Sequence, residues 1–454
     1  MNLDLENTSN SQLKQLVLLL LERVQLLEQR VKDLEAENER LRQGSGSSKP
    51  PSFVKANRVK PEKKPRKKRL KGFARPLDKV TRRVHHAFES CPQCQLVLTA
   101  GRVCRRRRVM ELPQINVEVV EHIVIERTCP ACQQDWAPEV DFSTLVVGKQ
   151  RVGISLQAEV GVLREVCRLP FRVIQDYLRR RYKLHLSVGE LVALVAGLAE
   201  RGRTEYEQLG EKIRGSPVVN ADETGWRESG QNGYLWSFST PEVRYFLYRR
   251  TRSQIVVKEV LGEEFEATLV TDFYASYNAH LGPHQRCWVH LLRDIRELKQ
   301  KHESDESVQQ WAEAVKDIYE RAKAYKGPNG RLGPVEQKAQ RVKKQREYER
   351  ELMEVCKPYL KKKQPQSVLC ERIERFLPEL FMFVADERVP SDNNAAERSL
   401  REPVVSRKIS GGTRSERGSE TKSILASLFG TWRLRGMDLY EACYKILTAQ
   451  KSIL

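Results

Sequence analysis

The chain has 454 residues, enough for two or more domains with hydrophobic cores. Its 80 Lys and Arg against 60 Asp and Glu give a net charge of +20, which favours a polyanionic partner, nucleic acid first. The absence of an 18-residue apolar run or a basic start leading into an apolar core argues against a membrane span or secretion signal, and ten cysteines, scattered apart from two CPxC pairs, argue for a reducing, cytoplasmic setting rather than a disulfide framework.

The first 43 residues read as a coiled coil. Leu13, Leu20, Leu27, Leu34 and Leu41 recur every seven residues, with Val17, Val24, Val31 and Asn38 in a second register. β-Branched residues in one register, leucine in the other and a single asparagine favour a parallel two-stranded coil. In such a dimer Arg23 faces Glu28, Arg30 faces Glu35 and Glu37 faces Arg42. The spacing therefore predicts a homodimer or higher oligomer, against the plainer alternative of a helix packed on its own chain. Leu16, Leu18, Leu19 and Leu21 add apolar surface that a simple dimer does not need.

GSGSSKPP breaks this helix, and residues 44–83 read as a basic flexible linker. Between Lys55 and Lys71 ten Lys or Arg residues stand against one acid, Glu62, a run suited to clamping phosphates without reading sequence.

Residues 84–140 read as a zinc-binding ribbon. Cys91-Pro-Gln-Cys94 and Cys129-Pro-Ala-Cys132 can place four thiolates around a structural Zn²⁺, and a redox pair is the competing reading. The intervening CRRRRVMEL and INVEVVEHIVIERT predict a hairpin, with Cys104 a core residue and Arg105, Arg106, Arg107 and Arg108 forming a basic, DNA-binding face. Residues 141–213 read as helical. The segment from Leu169 to Glu200 predicts two helices, a break at 183–187 and a cap at Ser187, which fits a helix-turn-helix or any ordinary helical pair.

The last segment, 214–454, carries the chemistry. VVNADETGW predicts a strand ending on Asp222; YLWSFST and VRYFLYRRT alternate as two antiparallel strands. SQIVVKEVLGEEF predicts a helix and ATLVTDF a strand ending on Asp272. YASYNAHL predicts a short helix, and HQRCWVHLLRDIREL a short strand leading into a longer helix. A charged helical insertion spans about 300–375, and SDNNAAERSLR resumes the pattern as a late helix capped by Asp392, with Glu397 more than a turn inside. This order matches an α/β, ribonuclease-H-like core with a helical insertion. Carboxylates at two strand ends and on a crossing helix can converge on two Mg²⁺ (or Mn²⁺) ions for attack on phosphorus. Glu223 should face away from Asp222. Cys287 and His290 read as a packed thiol and a histidine near the site, and SGGTRSERGSE lacks the GK[ST] of a phosphate loop. Arg398, Arg401, Arg407 and Lys408 are candidate DNA contacts, or simply a basic surface.

ADETGW, TDFYASYN, CWVHLLRDIREL and DNNAAERSLREPVVSRK resemble the signature blocks of the insertion-sequence-66 family of bacterial DDE transposases. The CPxC module and the basic segment before it resemble that family's zinc-binding and N-terminal regions. The resemblance implies that Asp222, Asp272 and Glu397 are the catalytic, Mg²⁺-binding triad. It also implies double-stranded DNA partners (element ends and target), accessory element-encoded proteins and a nucleoid-associated location. Two departures, VHLLRDIREL in place of a more Arg-rich helix and Glu402 within an Arg-Pro pair, bear on local DNA contacts and not on the triad. Two other functions are compatible with the residues: a catalytically inactive DNA-binding regulator, and a ribonuclease-H-like nuclease without strand transfer.

Overall fold

The computed structural model describes residues 24, 25, 27–32, 35, 79–99, 101–110, 112, 117–328 and 333–449. The chain separates into two compact units, Met1–Glu111 and Leu112–Leu454.

In the first unit Val24, Leu27 and Val31 are helical and exposed. The other heptad positions, Asn38 included, and most of the basic linker lie outside the described residues. Cys91 closes a tight turn: its carbonyl accepts from Gln95 N–H at 2.8 Å, and its own N–H donates to the Leu96 carbonyl at 2.8 Å. Residues 101–110 carry no strand, and Arg105 to Arg108 are exposed. Cys104 is exposed as well, not the core residue its apolar neighbours suggest.

The second unit opens on the matching turn at Cys129, held by β1 (Arg127–Thr128) against β2 (Asp135–Trp136). Among the described residues of the two segments expected to form a hairpin, only Arg127 and Thr128 are in a strand. Residues 117–126 are not a strand, and Val119 and Ile123 among them are exposed.

The helical region follows the sequence closely. Helix Phe171–Tyr182 ends at Lys183 in the left-handed conformation, and helix Val188–Arg201 starts on a capping box between Ser187 and Glu190. With Ile154–Glu165 and Arg203–Arg214 these helices pack a large core against one face of a sheet.

That sheet has five strands, β3 (Val218–Glu228), β4 (Gln231–Ser239), β5 (Arg244–Arg249), β6 (Thr268–Thr271) and β7 (His284–Arg286), in spatial order β5-β4-β3-β6-β7. β4 is antiparallel to β3 and β5, while β6 is parallel to β3 and β7. The first long strand does not end on Asp222. Its parallel pairing with β6 stops at Asn220↔Val270, but β4 continues to pair with it as far as Glu228↔Gln231. Strand alternation sends Val219 and Ala221 into the large core and leaves Asn220 and Asp222 on the opposite face.

Two features close this unit. Helix Glu416–Leu434 presents Ser423, Ser427 and Thr431, four residues apart, to the edge strand β5. Their hydroxyls accept from the N–H groups of Tyr248, Phe246 and Arg244 at 2.9, 2.8 and 3.0 Å, so the open edge is satisfied by a helix rather than by another strand. Helices Glu306–Ala324, Pro334–Cys356 and Ser367–Phe376 fill the charged stretch as expected. They share a separate core, around Trp288, Trp311, Leu352 and Phe381, with helices Trp288–Lys301 and Met382–Ala385 on either side. Among the described residues no helix is long and apolar enough to cross a membrane.

Candidate active site

Three carboxylates lie about the β3–β6 boundary, near enough for Asp272 and Glu397 to raise the Asp222 carboxyl. Asp222 lies two residues beyond the last β3–β6 pair, and Asp272 directly follows β6. Glu397 sits in the first turn of helix Asn394–Ser410, closer to its start than the sequence implies. The reason is the cap: Asn393, not Asp392, occupies the cap position, and the Asp392 carboxylate accepts instead from Asn394 N–H at 3.1 Å.

Their charges are coupled. Burial, then Glu223, Asp272 and Glu397, push the Asp222 carboxyl up to about 7, against the opposing Glu223 N–H, which donates to Asp222 Oδ1 at 2.8 Å. Glu397 Oε1 is buried without a hydrogen-bond partner. His290 Nε2 lies 3.8 Å from it, and His290 Nδ1 is likewise buried and unpartnered. Cys287 is buried, as a packed thiol should be. Among the described residues no group of three or more His, Cys, Asp or Glu side chains is already drawn together to hold a metal ion.

Supporting residues tie together the three segments that bear the carboxylates. Asn393 is buried. Its amide nitrogen donates to the Ala221 carbonyl at 2.8 Å, its amide oxygen accepts from Asn220 at 2.9 Å, and its backbone N–H donates to Cys287 Sγ at 3.2 Å. Arg286, the last residue of β7, is almost wholly buried. It donates to the Asp272 carbonyl at 2.9 Å, to Asn278 at 2.6 Å and to Glu379 at 2.6 Å, which fixes the turn after β6. Tyr274 N–H donates to Asp272 Oδ1 at 2.9 Å and orients that carboxylate.

Glu223 turns to the other face of β3, as alternation requires. There it accepts from Arg252 at 2.7 Å and from the Tyr277 hydroxyl, and burial holds its carboxyl above the ordinary range. Arg252 in turn stacks on Tyr274, 3.6 Å from the ring centroid, so a second layer runs beneath the site.

The basic residues divide by what they touch. Arg398, Arg401 and Lys408 are exposed on the helix that carries Glu397. Arg407 instead donates to the Thr224 hydroxyl at 3.2 Å and to the Gly225 carbonyl, tying the end of that helix to β3. Glu402 is ion-paired with Arg168 and Arg433. The glycine-rich loop after the helix docks on the end of β3: a Cβ on Gly412, at φ +110°, would meet the Arg227 carbonyl at 2.1 Å, so only glycine fits.

Sequence reasoning missed Asn393, Arg286, and the two donors to Glu223, Arg252 and Tyr277. Faint signals exist: the second asparagine of DNN and the arginine just before Cys287 both adjoin recognisable blocks.

The two CPxC turns repeat one geometry. Gln95 and Gln133 both have positive φ, at 60° and 53°, and Cys129 makes the same pair of 2.8 Å main-chain bonds, with Gln133 and Gln134, that Cys91 makes with Gln95 and Leu96. In each turn the N–H of the second cysteine, then that of the residue before it, hold the first thiol below its ordinary range.

Comparison with curated proteins gave no match. The family model described as Transposase IS66 family matches residues 149–421, a span that contains all five sheet strands, the three carboxylates and the helices between them. With more than half of its length covered by that match, the chain belongs to the IS66 family of transposases.

Proposed function

We propose that the chain is a DDE transposase that binds the ends of a mobile DNA element and catalyses metal-dependent cleavage and strand transfer on a ribonuclease-H-like core. The fold reading is supported by the sheet order, with its second long strand antiparallel to the first, and by the helical insertion before the late helix. The observation that carries the catalytic reading is the placement of Asp222 just beyond the last β3–β6 pair, Asp272 directly after β6 and Glu397 in the first turn of the late helix, all inside the span that matches the family, with the raised Asp222 carboxyl in keeping.

Three half-buried carboxylates, with Oε1 of Glu397 buried and unsatisfied, lack positive charge among the described residues. Hard oxygen donors suit Mg²⁺ or Mn²⁺, and Asp222, Asp272 and Glu397 are the residues to hold two such ions. Bound there, the ions supply Lewis-acid activation of a water or 3′-hydroxyl and charge stabilisation of an in-line displacement. The chain's own residues do the rest. Asn393 and Arg286 hold the carboxylate-bearing segments in register. His290, beside Glu397, is placed to exchange a proton or hold a phosphate oxygen at the site. Arg401, one turn beyond Glu397, meets the DNA backbone, and Arg105 to Arg108 add phosphate contacts.

The two like CPxC turns, with their first thiols held low, support structural zinc binding by Cys91, Cys94, Cys129 and Cys132. The N-terminal heptads support pairing of two subunits.

A strand-transfer assay on a candidate element end tests the function. Metal-dependent joining of an element end to target DNA is the expected result. Binding without chemistry would point to a regulator, and cutting without joining to a nuclease.

A further inference from the structure

A cavity of about 360 Å³ opens between the helix that carries Glu397, helix Glu416–Leu434 and strand β5. Its floor is apolar, made by Phe246, Pro403, Ala426 and Phe429. Its rim is cationic, and the cations differ in how they are neutralised. Lys422 is paired with Glu165 at 2.6 Å, and Arg168 and Arg433 share Glu402. The Arg244 guanidinium donates only to the main-chain carbonyls of Thr240 and Val243. Arg398 has no acidic partner among the described residues. Two guanidinium groups without a carboxylate thus line one cavity, and burial, then the charge of Arg398, depress the pKa of Arg244. An anion would relieve that repulsion.

The ligand must join an anion to an apolar body, and the space is at the small end of ordinary ligand cavities, far too small for a duplex. A single nucleotide has this character, and Arg398 directly follows Glu397 in the chain. We propose that the cavity receives one unstacked nucleotide of the DNA substrate. Its base lies on the Phe246, Pro403 and Phe429 floor and its phosphate between Arg244 and Arg398. This rests on the transposase reading, but it concerns DNA binding and not catalysis.

The test is fluorescence anisotropy of the full chain in EDTA, with a blunt duplex and the same duplex carrying one extrahelical thymidine. The wild type is expected to prefer the extrahelical probe by about tenfold. Arg398→Glu should remove that preference, while Arg398→Lys should keep most of it. Because Arg398 is exposed and has no acidic partner to lose, the variants are expected to fold. Equal weakening of both probes by Arg398→Glu would make Arg398 an ordinary backbone contact and overturn the pocket, as would a wild type without preference. Displacement of the probe by thymidine monophosphate at similar concentration would instead reveal a free-nucleotide site, and overturn the DNA assignment. Any of these results leaves the transposase reading standing as long as the duplex binds; a chain that binds neither probe overturns both.

Discussion

The side-chain amide of Asn393 donates to the main-chain carbonyl of Ala221 at 2.8 Å, so the start of the Glu397 helix is bonded to the residue just before Asp222. Asn220 returns a bond to the same amide at 2.9 Å. Two of the three carboxylates are thereby referenced to one buried side chain rather than to flexible loops, the kind of support that holds a charged site against its own repulsion.

Asn393→Ala should therefore lower stability by about 2–3 kcal/mol, the cost of leaving buried partners at Asn220 and Ala221 unsatisfied. It should also depress DNA joining far more than DNA binding. Urea unfolding and a duplex-binding titration check this; normal joining by the folded variant would show that Asn393 does not position Glu397.

The raised Asp222 carboxyl gives a pH dependence with a definite sign. An ordinary aspartate titrates near 4, whereas burial and the neighbouring carboxylates push Asp222 up to about 7. A carboxyl raised on folding favours the protonated folded form. Its contribution is present below the unfolded pKa and is lost as the pH rises through about 7. Metal-free protein should lose on the order of 1–4 kcal/mol between about pH 4 and pH 8 from this group, and Asp222→Asn should remove that slope. Identical pH slopes for the two proteins in urea unfolding would contradict the coupling. Mg²⁺ affinity should rise over the same interval, because the ion competes with the proton.

Zinc is tested by composition. Freshly purified, reduced protein should hold about one zinc per chain, and Cys91→Ser or Cys129→Ser should lose it. DNA recognition should suffer more than the activity of the catalytic unit. Zinc-free reduced protein with normal DNA recognition would leave the CPxC turns as simple hairpins.

Self-association is tested on the N-terminal segment. Deleting residues 13–41 should weaken dimers and paired-end complexes but spare zinc content. Reversing Glu28 and Glu35 to lysine should weaken the dimer by opposing Arg23 and Arg30, and glutamates at those arginines should restore it. A monomer at concentrations on the order of tens of micromolar in light scattering would rule the zipper out.

Much of the unit that holds the five-stranded sheet is legible from periodicity. The alternation in YLWSFST and RYFLYR, the apolar run before Asp222 and the Ser187 cap are local signals, and each element forms there, although the strand through Asp222 runs on to Glu228 because β4 keeps pairing with it. What escaped depends on tertiary contacts. Asn393 looks like one more polar residue at a helix start until the strand it bonds to is known. Arg286 has no local mark of burial, and its counter-charge comes from Glu379, 93 residues on. Alternation between the CPxC pairs is a weaker guide: of the described residues 117–128 only Arg127 and Thr128 are in a strand, and Val119 and Ile123 are exposed.

The most direct test of the account is strand transfer by Asp272→Asn in Mg²⁺. Asp272 is oriented by Tyr274 N–H and held through its carbonyl by Arg286, contacts that an asparagine side chain and an unchanged backbone can largely keep, so the variant should fold and bind DNA. Loss of one charged metal ligand should nevertheless abolish cleavage and joining. Joining at near wild-type rate by the folded variant would contradict the assignment of Asp222, Asp272 and Glu397 as one catalytic set.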